Sequence, residues 1–308
     1  MARGRHSLTR YVAVLLAFLM CTAASSFTLA AHAQSKVAEL KHAATGIVLK
    51  LNVDRRSVDV SCDEIPGYMS AMSMSFKLRD AKSTSILMAG SKIAFTITEQ
   101  GKALYADNIH AAPSAVFEPE PMNASGLGAL HKALNPSIAK AALKVGQAVP
   151  DFVLTDQSGS EVHLSQFQGK VVALTFGYSR CPNPNYCYGL SNNLAHVQTA
   201  FRSRAGRDLV LLTIAIDPEN DKGEALARYA DSFHADPRVW HFLTGPLPRI
   251  KEVSAMFGMD FWSNEGLLTH SMHTVILDRR GEIYANLEGN QFTSRQLTDL
   301  VRSTMDRP

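Results

Sequence analysis

The sequence predicts two folded regions of different class: a small all-β region, then an α/β region with a mixed sheet covered by helices on both faces. Short alternating strands separated by turns occupy residues 45–110. From Gly146 onward, apolar strands alternate with amphipathic helices. Residues 111–124 between them contain Pro and Glu without periodicity, which is typical of a linker.

The all-β region is a series of short strands joined by turns. GIVLKLNV and SVDVSC flank the turn DRR, and MSMSFKL and SKIAFTI alternate further along the chain. We assign residues 40–112 to this region and expect a small barrel, with an open two-sheet sandwich as the alternative. Residues 113–143 are then a linker with a short helix over residues 127–143.

The α/β region, residues 144–308, alternates strands and helices. KVVALTFGY and DLVLLTIAID are continuous apolar runs, typical of strands buried on both faces. The amphipathic helices DKGEALARYADSFH and PRIKEVSAMFG come next, followed by the strands HTVILD and EIYANLE. TSRQLTDLVRSTM closes the region as a helix capped by Thr293 or Ser294.

The N-terminus has the pattern of an export signal. Three arginines precede the apolar run YVAVLLAFLM, and small residues follow as far as AAHAQ. We expect cleavage between Ala33 and Gln34, which makes residues 1–33 a signal peptide. The alternative is an uncleaved membrane anchor, because residues 11–33 carry no charged side chain and are long enough to span a bilayer.

Loss of the leader leaves the protein without net charge. The whole chain has 31 Lys and Arg against 28 Asp and Glu, a net charge of +3, and the leader holds three arginines and no acid. The mature chain therefore balances its basic and acidic residues. Such a balance gives no electrostatic reason to expect binding to nucleic acid or to an anionic surface.

Cysteine usage directs attention to one loop. Without Cys21 of the leader, three cysteines remain, and an odd number in an exported chain leaves a thiol that needs a use. Cys181 and Cys187 lie in SRCPNPNYCYGL, between a buried strand and a helix. Ligands and catalytic groups of α/β sheets lie at this edge, and a helix N-terminus lowers the pKa of a nearby thiol.

Four roles are open to this cysteine pair. A structural disulfide is common in exported proteins, although closing so short a loop constrains little entropy. The chain has no second cysteine pair for a four-ligand zinc site. The five-residue spacing is wider than the C-x-x-C of a thioredoxin-type redox pair. Copper(I) accepts two thiolates and an imidazole at low coordination number.

A third ligand for the pair is available in LLTHSMHTVILD. His270 and His273 both precede a late strand, within reach of the cysteine loop in a thioredoxin-like layout. Three acidic residues in DPEND also resemble ligands, but we expect one or more of them to cap the following helix: Asp217, Glu219 and Asp221.

Several segments of the α/β region resemble the Sco/SenC family of copper chaperones. VGQAVPDFVLTDQSG, GKVVALTFGYSRCP, IAIDPEND, WHFLTG and LTHSMHTVILDRRGEI occur in the family's order over residues 144–306. The resemblance implies a thioredoxin-like fold, copper bound by two cysteines and a histidine, and a role in building cytochrome c oxidase and in thiol–disulfide exchange. It assigns these roles to Cys181, Cys187 and His270, the cysteines being catalytic where the pair is redox-active.

The cysteine loop departs from that family. The usual loop is C-P-x-x-C-P, with three residues between the cysteines. Here five intervene, and Tyr188 stands where proline is common. Metal geometry and redox potential therefore do not carry over directly.

A second cluster of soft donor atoms lies in SCDEIPGYMSAMSMSF. Met69, Met72 and Met74 follow Cys62 within a short span, and Met72 and Met74 would face the same way on a strand. Three thioethers and a thiol suit Cu(I). The alternative is that the methionines fill a small core and Cys62 is a buried apolar residue.

This cluster resembles the CusF-type periplasmic copper-binding domain, a five-stranded OB-like barrel. Met72 and Met74 match its Met-x-Met, Met69 takes the place of its aromatic residue, and Cys62 stands where the family has a histidine. The resemblance implies a barrel, bound copper and a periplasmic location. A thiol in the histidine position makes the site softer and open to oxidation.

The sequence therefore predicts a periplasmic copper chaperone rather than an enzyme, with copper held as Cu(I) or Cu(II). The expected partners are a copper-accepting protein such as a cytochrome c oxidase subunit, and a thiol–disulfide reductant. Contact with the membrane is expected only if the leader is uncleaved. The alternatives are a periplasmic thiol–disulfide oxidoreductase and a copper buffer or detoxification binder.

Overall fold

The computed structural model describes residues 40–54, 56–79, 86–112, 142–182, 184–264 and 267–307. The expected signal peptide, the linker and its short helix lie outside these ranges, apart from residues 142 and 143. Lys41–Pro308 form one compact unit; of the other, Met1–Leu40, only Leu40 is described. No helix within the described ranges is long and apolar enough to cross a bilayer.

The all-β region is a closed five-stranded barrel, which confirms the barrel and not the open sandwich. Its strands run in the order β1-β2-β3-β5-β4, and all neighbours are antiparallel except β3 and β5. The bounds are β1 Lys41–Asn52, β2 Ser57–Cys62, β3 Ser73–Leu78, β4 Lys92–Gln100 and β5 Ala103–Ala111.

Side-chain alternation fills this barrel. Val58, Val60 and Cys62 of β2 are fully buried in one apolar cluster, together with Phe76 of β3. Gly46 of β1 pairs with Cys62, and a Cβ at Gly46 would lie 2.6 Å from the carbonyl oxygen of Ser61. Glycine is therefore required where β1 passes the end of β2.

The α/β region contains a seven-stranded mixed sheet in the order β14-β13-β8-β9-β10-β6-β7. Parallel pairing joins β8 to β9 and β9 to β10, whereas β13 is antiparallel to β8. The bounds are β6 Val153–Asp156, β7 Glu161–His163, β8 Val171–Gly177, β9 Leu209–Ala215, β10 Trp240–Thr244, β13 His273–Leu277 and β14 Ile283–Glu288. A separate hairpin comprises β11 Phe261–Asn264 and β12 Leu267–His270.

Helices cover the large sheet on both faces, as predicted. One apolar cluster contains residues from α1, Gly189–Ala200, from α2, Gly223–Asp231, and from α4, Ser294–Met305. The other contains residues of α3, Leu247–Met256. Every residue of β8 and β9 is buried, because strands covered on both faces present no side to water.

Helix α4 begins at the predicted cap. Thr293 Oγ1 accepts a hydrogen bond of 3.1 Å from the Gln296 backbone N–H, and Gln296 Oε1 accepts one of 2.9 Å from the Thr293 N–H. This reciprocal capping box satisfies two donors that the helix itself leaves unpaired. It also fixes the position of the Gln296 side chain.

The barrel shares a core with the α/β region. Ile47 and Leu49 of β1 belong to the same buried cluster as the apolar residues of α4. Tyr284 Oη of β14 donates a hydrogen bond of 2.6 Å to the Leu49 carbonyl oxygen. At Gly90, where φ is +87°, an added Cβ would lie 2.9 Å from the Cβ of Ala285. The backbone just before β4 of the barrel therefore packs closely against β14 of the large sheet.

Candidate metal centres

The cysteine loop lies at the carboxyl end of β8, as predicted. β8 ends at Gly177, and a turn leads to Cys181, which is partly buried. Cys187 lies within a π-helical turn, Pro184–Tyr188, that leads into α1, and its side chain is fully buried. The wide spacing is thus taken up by a local widening of the helix start, a feature that recurs at functional sites.

The two thiols are in contact. Both cysteines are reduced, and a side-chain hydrogen bond with Cys181, together with burial, raises the pKa of Cys187. The lowering of pKa expected at a helix N-terminus is not the dominant effect at Cys187. Its thiol is protonated at neutral pH, so any metal that binds there must displace a proton.

His270 completes this group from the end of β12. Its Nε2 lies 3.4 Å from Cys187 Sγ, and its Nδ1 lies 2.8 Å from the Ser271 carbonyl oxygen. A carbonyl oxygen only accepts, so Nδ1 carries the proton and the Nε2 lone pair points at the sulfur. This is the tautomer in which a histidine binds a metal through Nε2.

Tyr178 holds the imidazole from the side. Its ring meets the His270 ring edge-on, with centroids 5.9 Å apart. Its hydroxyl donates a hydrogen bond of 3.3 Å to the Leu268 carbonyl oxygen on the same strand as His270. Burial raises the pKa of Tyr178, so the phenol remains a neutral donor.

His273, the alternative ligand, lies in a different environment. It is buried on β13, its Nδ1 lies 2.9 Å from Asn286 Oδ1, and its carbonyl oxygen accepts a hydrogen bond of 3.1 Å from Thr175 Oγ1. Its ring is engaged with β14, whereas the His270 ring faces Cys187. The geometry therefore favours His270 as the partner of the cysteines.

These three side chains meet in successive pairs. Cys181 contacts Cys187, and Cys187 contacts His270. Within the described ranges, no three or more His, Cys, Asp or Glu side chains already surround an ion-sized space. Two sulfurs and an imidazole nitrogen lie in successive hydrogen-bond contact, so these side chains would have to rearrange to enclose a soft cation.

The acidic loop after β9 anchors the cysteine loop instead of capping α2. Asp221, fully buried, accepts a hydrogen bond of 3.0 Å from the Ser179 N–H and a shorter one from the Ser179 hydroxyl. Burial raises the pKa of this carboxyl group. The N-cap of α2 is Lys222, without a side-chain hydrogen bond, so the expectation that an acid caps this helix was wrong.

Two further contacts support the same loop. Arg180 forms an ion pair with Asp217, with the Nη2 and Oδ2 atoms 2.8 Å apart. Tyr188 Oη donates a hydrogen bond of 3.0 Å to the Ser179 carbonyl oxygen. Sequence reasoning missed Asp221 as a loop anchor, although β8 and β9 were both predicted as strands and the loops after adjacent parallel strands meet at one edge.

The barrel cluster is only partly brought together. Cys62 is fully buried at the end of β2, and Met69 and Met74 are half-buried against the same apolar cluster. Met72 immediately precedes β3 and is 46% exposed, more than Met74. Its carbonyl oxygen accepts a hydrogen bond of 2.9 Å from the Cys62 N–H, which keeps its backbone beside Cys62.

The Cys62 thiol is protonated in this setting. Burial raises its pKa to about 12, with a further contribution from the charge of Asp63. The nearest acceptor for its proton is the Val60 carbonyl oxygen, 3.8 Å away. Elsewhere on the barrel, the rings of His42 and Tyr68 stack with centroids 3.6 Å apart, a pair that sequence reasoning missed.

The fold and site define a class of protein: a thioredoxin-like domain in which two thiols and an imidazole meet at the carboxyl edge of the sheet. The chain belongs to the SCO1/SenC family, because residues 140–306, more than half of its length, match that family's model. Residues 41–110 match the model described as "Copper binding periplasmic protein CusF". Both matches coincide with the regions described above.

Similar proteins agree with this family. The mitochondrial SCO2 homologue of Bos taurus is 30% identical over 168 residues, and that of Homo sapiens is 29% identical over the same length. Each alignment covers 52% of this chain and 60% of the relative.

Among solved structures, Arabidopsis thaliana ScoI with copper bound is 26% identical, with a TM-score of 0.45, over 51% of this chain and 98% of that one. Yeast Sco1 with copper bound is 24% identical, with a TM-score of 0.44, over 51% and 87%.

Proposed function

We propose that the protein is a periplasmic copper chaperone with two copper centres that supplies copper for the assembly of cytochrome c oxidase. The centre of the α/β region consists of Cys181, Cys187 and His270. The barrel centre binds Cu(I) through Cys62, Met69, Met72 and Met74. The export signal and the periplasmic description of the CusF model support the location, and the resemblance to the Sco/SenC family supports the recipient.

One observation carries this proposal: the His270 lone pair at Nε2 points at Cys187 Sγ from 3.4 Å, and Cys187 is hydrogen-bonded to Cys181. Two sulfurs and one imidazole nitrogen form the donor set that Cu(I) accepts. Binding Cu(I) as a bis-thiolate requires the Cys187 thiol, whose pKa is raised, to release its proton. Delivery then requires that a recipient's ligands replace these donors one at a time.

The first experiment counts copper in the full chain. Cu(I) is titrated in the presence of a chromophoric chelator, and we expect two ions per chain. The Cys181→Ser/Cys187→Ser variant should bind one, because the barrel cluster remains. If this variant still binds two, the cysteine loop is not a copper centre.

Substitution of the histidine tests the ligand set. His270→Ala should weaken copper binding at the cysteine loop by about tenfold or more, which corresponds to about 1.4 kcal/mol or more. His196→Ala is the matched control, because His196 is exposed on α1, the helix that follows Cys187. Equal affinities for the two variants would refute the assignment of His270.

Thiol–disulfide exchange is the second candidate function, and the contact between the two thiols favours it. Oxidation of Cys181 and Cys187 to a disulfide would release two electrons and two protons to a partner disulfide, which becomes two thiols. This activity requires both cysteines but not an imidazole ligand. Exchange activity that survives in His270→Ala, with copper affinity unchanged, would support the oxidoreductase against the chaperone.

A copper buffer differs from a chaperone in lacking a recipient. The copper-loaded protein can be mixed with the isolated copper-binding domain of a cytochrome c oxidase subunit and the two separated by chromatography. We expect copper to move to the oxidase domain faster than it is released to a chelator of equal affinity. Transfer at the rate of simple release would indicate a buffer.

A further inference from the structure

Three side chains of α4 form hydrogen bonds with the residues at and beside Cys62 and with Ser73. Asp299 Oδ2 accepts hydrogen bonds of 2.8 Å from the Ser61 hydroxyl and 2.7 Å from the Ser73 hydroxyl. Ser61 immediately precedes Cys62, and Ser73 lies between Met72 and Met74. A single carboxylate oxygen thus joins the two strand positions that adjoin the soft donors.

The other two side chains of this group act on the chain around Cys62. Arg295 Nη2 donates a hydrogen bond of 2.8 Å to the Cys62 carbonyl oxygen. Gln296 Nε2 donates one of 3.2 Å to the Ser61 carbonyl oxygen and one of 2.9 Å to Asp63 Oδ1. We call Arg295, Gln296 and Asp299 the α4 brace.

Asp299 of the α4 brace binds the two serines, Ser61 and Ser73, that adjoin Cys62 and Met74 in the sequence. Ser61 and Ser73 are directly opposite each other in the β2–β3 pairing. Because side chains alternate along a strand, Ser61 faces α4 while Cys62 faces the barrel interior. β3 begins at Ser73, and strand ends open more readily than strand centres. The brace therefore stabilises the end of the β2–β3 pairing, which would otherwise open most readily.

We propose that the α4 brace is part of the barrel centre, with Asp299 as a positioning residue that fixes β2 against β3 so that Cys62 and Met74 meet one metal ion. This inference rests on the proposed copper function of the barrel. It makes the affinity of the barrel for copper depend on a helix of the α/β region. Outer contacts that orient ligands typically contribute about 10- to 100-fold to metal affinity.

Two substitutions separate the oxygen bridge from the charge of Asp299. Asp299→Asn keeps an acceptor oxygen for the two serine hydroxyls but removes the charge, which lies 3.4 Å from Arg295 Nη1. Asp299→Leu removes both and leaves the fully buried Ser61 hydroxyl without its acceptor. Asp306→Asn is the matched control, because Asp306 is the C-cap of the same helix and pairs with Arg204 rather than with the barrel.

The experiment uses the full chain with its other three cysteines replaced by serine, Cys21→Ser/Cys181→Ser/Cys187→Ser, here called the triple-serine parent. Cu(I) affinity is measured by chelator competition. We expect Asp299→Leu to weaken binding about 10- to 100-fold, with Asp299→Asn and Asp306→Asn close to the parent. Thermal unfolding of the copper-free proteins checks that each variant is folded. Parent-like affinity in Asp299→Leu would overturn the proposal.

A milder pair of variants covers the case in which Asp299→Leu does not fold. Ser73→Ala removes one of the two bridging hydroxyls, and Ser75→Ala, exposed two residues further along β3, is its control. Ser73→Ala should weaken Cu(I) binding and Ser75→Ala should not. Equal affinities for these two variants would also overturn the proposal.

A second readout separates this inference from the copper function. Cys62 is the single thiol of the triple-serine parent, and its alkylation rate without copper reports opening of the β2–β3 end. We expect faster alkylation in Asp299→Leu but not in Asp299→Asn. A parent that binds no Cu(I) would refute the copper role of the barrel, and the alkylation rates alone would then decide whether the brace exists.

Discussion

The buried thiol of Cys62 should make the protein less stable at alkaline pH, and the structure gives the size of the effect. Burial raises the pKa of Cys62 from 9.0 to about 12 in the folded protein. The folded state therefore favours the protonated thiol, and this contribution to stability is complete below pH 9. As pH rises from 9 to 12, the unfolded chain loses its proton first, so stability falls.

The expected loss follows from the two pKa values. At pH 10 the free energy of unfolding should fall by about 1.4 kcal/mol relative to neutral pH, and at pH 10.5 by about 2 kcal/mol. The full shift corresponds to about 4 kcal/mol, approached only above pH 12. Other groups also titrate in this range, so the effect must be measured as a difference between two proteins.

The assay is denaturant unfolding of the triple-serine parent and of the same protein with Cys62→Ala, at pH 7.5, 9, 10 and 10.5. The alanine variant should be less stable at pH 7.5 because it lacks buried side-chain atoms. Its disadvantage should shrink by about 1.4 kcal/mol at pH 10. A stability difference that stays constant from pH 7.5 to 10.5 would refute the reasoning, since it would mean that the thiol does not titrate differently on folding.

Three further outcomes are expected. Asp221→Asn should weaken copper binding at the cysteine loop about tenfold and leave the barrel centre unchanged, because the new amide N–H group would face the N–H and hydroxyl donors of Ser179. Copper affinity is measured by chelator competition, with Glu219→Gln, exposed in the same acidic loop, as the control. Gly90→Ala should lower the free energy of unfolding, measured by denaturant unfolding, by about 1–3 kcal/mol. Gly101→Ala should lower it less, because both glycines have positive φ but only a Cβ at Gly90 would collide with Ala285. Copper binding at the cysteine loop should strengthen with pH because the protonated Cys187 thiol must lose its proton, and a slope of zero in a pH series would contradict a raised pKa of Cys187.

Much of the fold follows from patterns that are local in the sequence. The continuous apolar runs of β8 and β9 predicted strands buried on both faces, and the alternation of strands and helices predicted a mixed sheet between helix layers. Short alternating strands predicted the barrel. In these elements the burial of each residue depends mainly on which layer contains it, so composition and period carry the information.

The site was predictable where it depends on strand ends and not where it depends on turn geometry. The position of Cys181 after β8 and the approach of His270 follow from the order of elements. The π-helical turn that carries Cys187 does not, because the two extra residues could widen the loop in several ways. The exact start of β3, at Ser73 and not at Met72, was not predictable for a similar reason: whether a residue lies inside a strand or just before it depends on the neighbouring turn.

Contacts between distant segments were beyond sequence reasoning altogether. The hydrogen bonds from Asp299 to Ser61 and Ser73 join positions far apart in the chain, and no periodicity marks them. Asp221 was noticed as an acid but assigned to the nearer helix. A local rule for caps gave the wrong partner because the parallel pairing of β8 with β9 brings the cysteine loop as close to Asp221 as its own helix.

The shared core of Ile47 and Leu49 with α4 has a consequence for how copper moves between the two centres. A domain on a free tether visits its neighbour at a frequency set by the length of the tether. A barrel anchored by a common apolar core has its separation from the cysteine loop fixed by packing. Lengthening the segment 113–141 should therefore leave the rate of copper exchange between the two centres of one molecule unchanged.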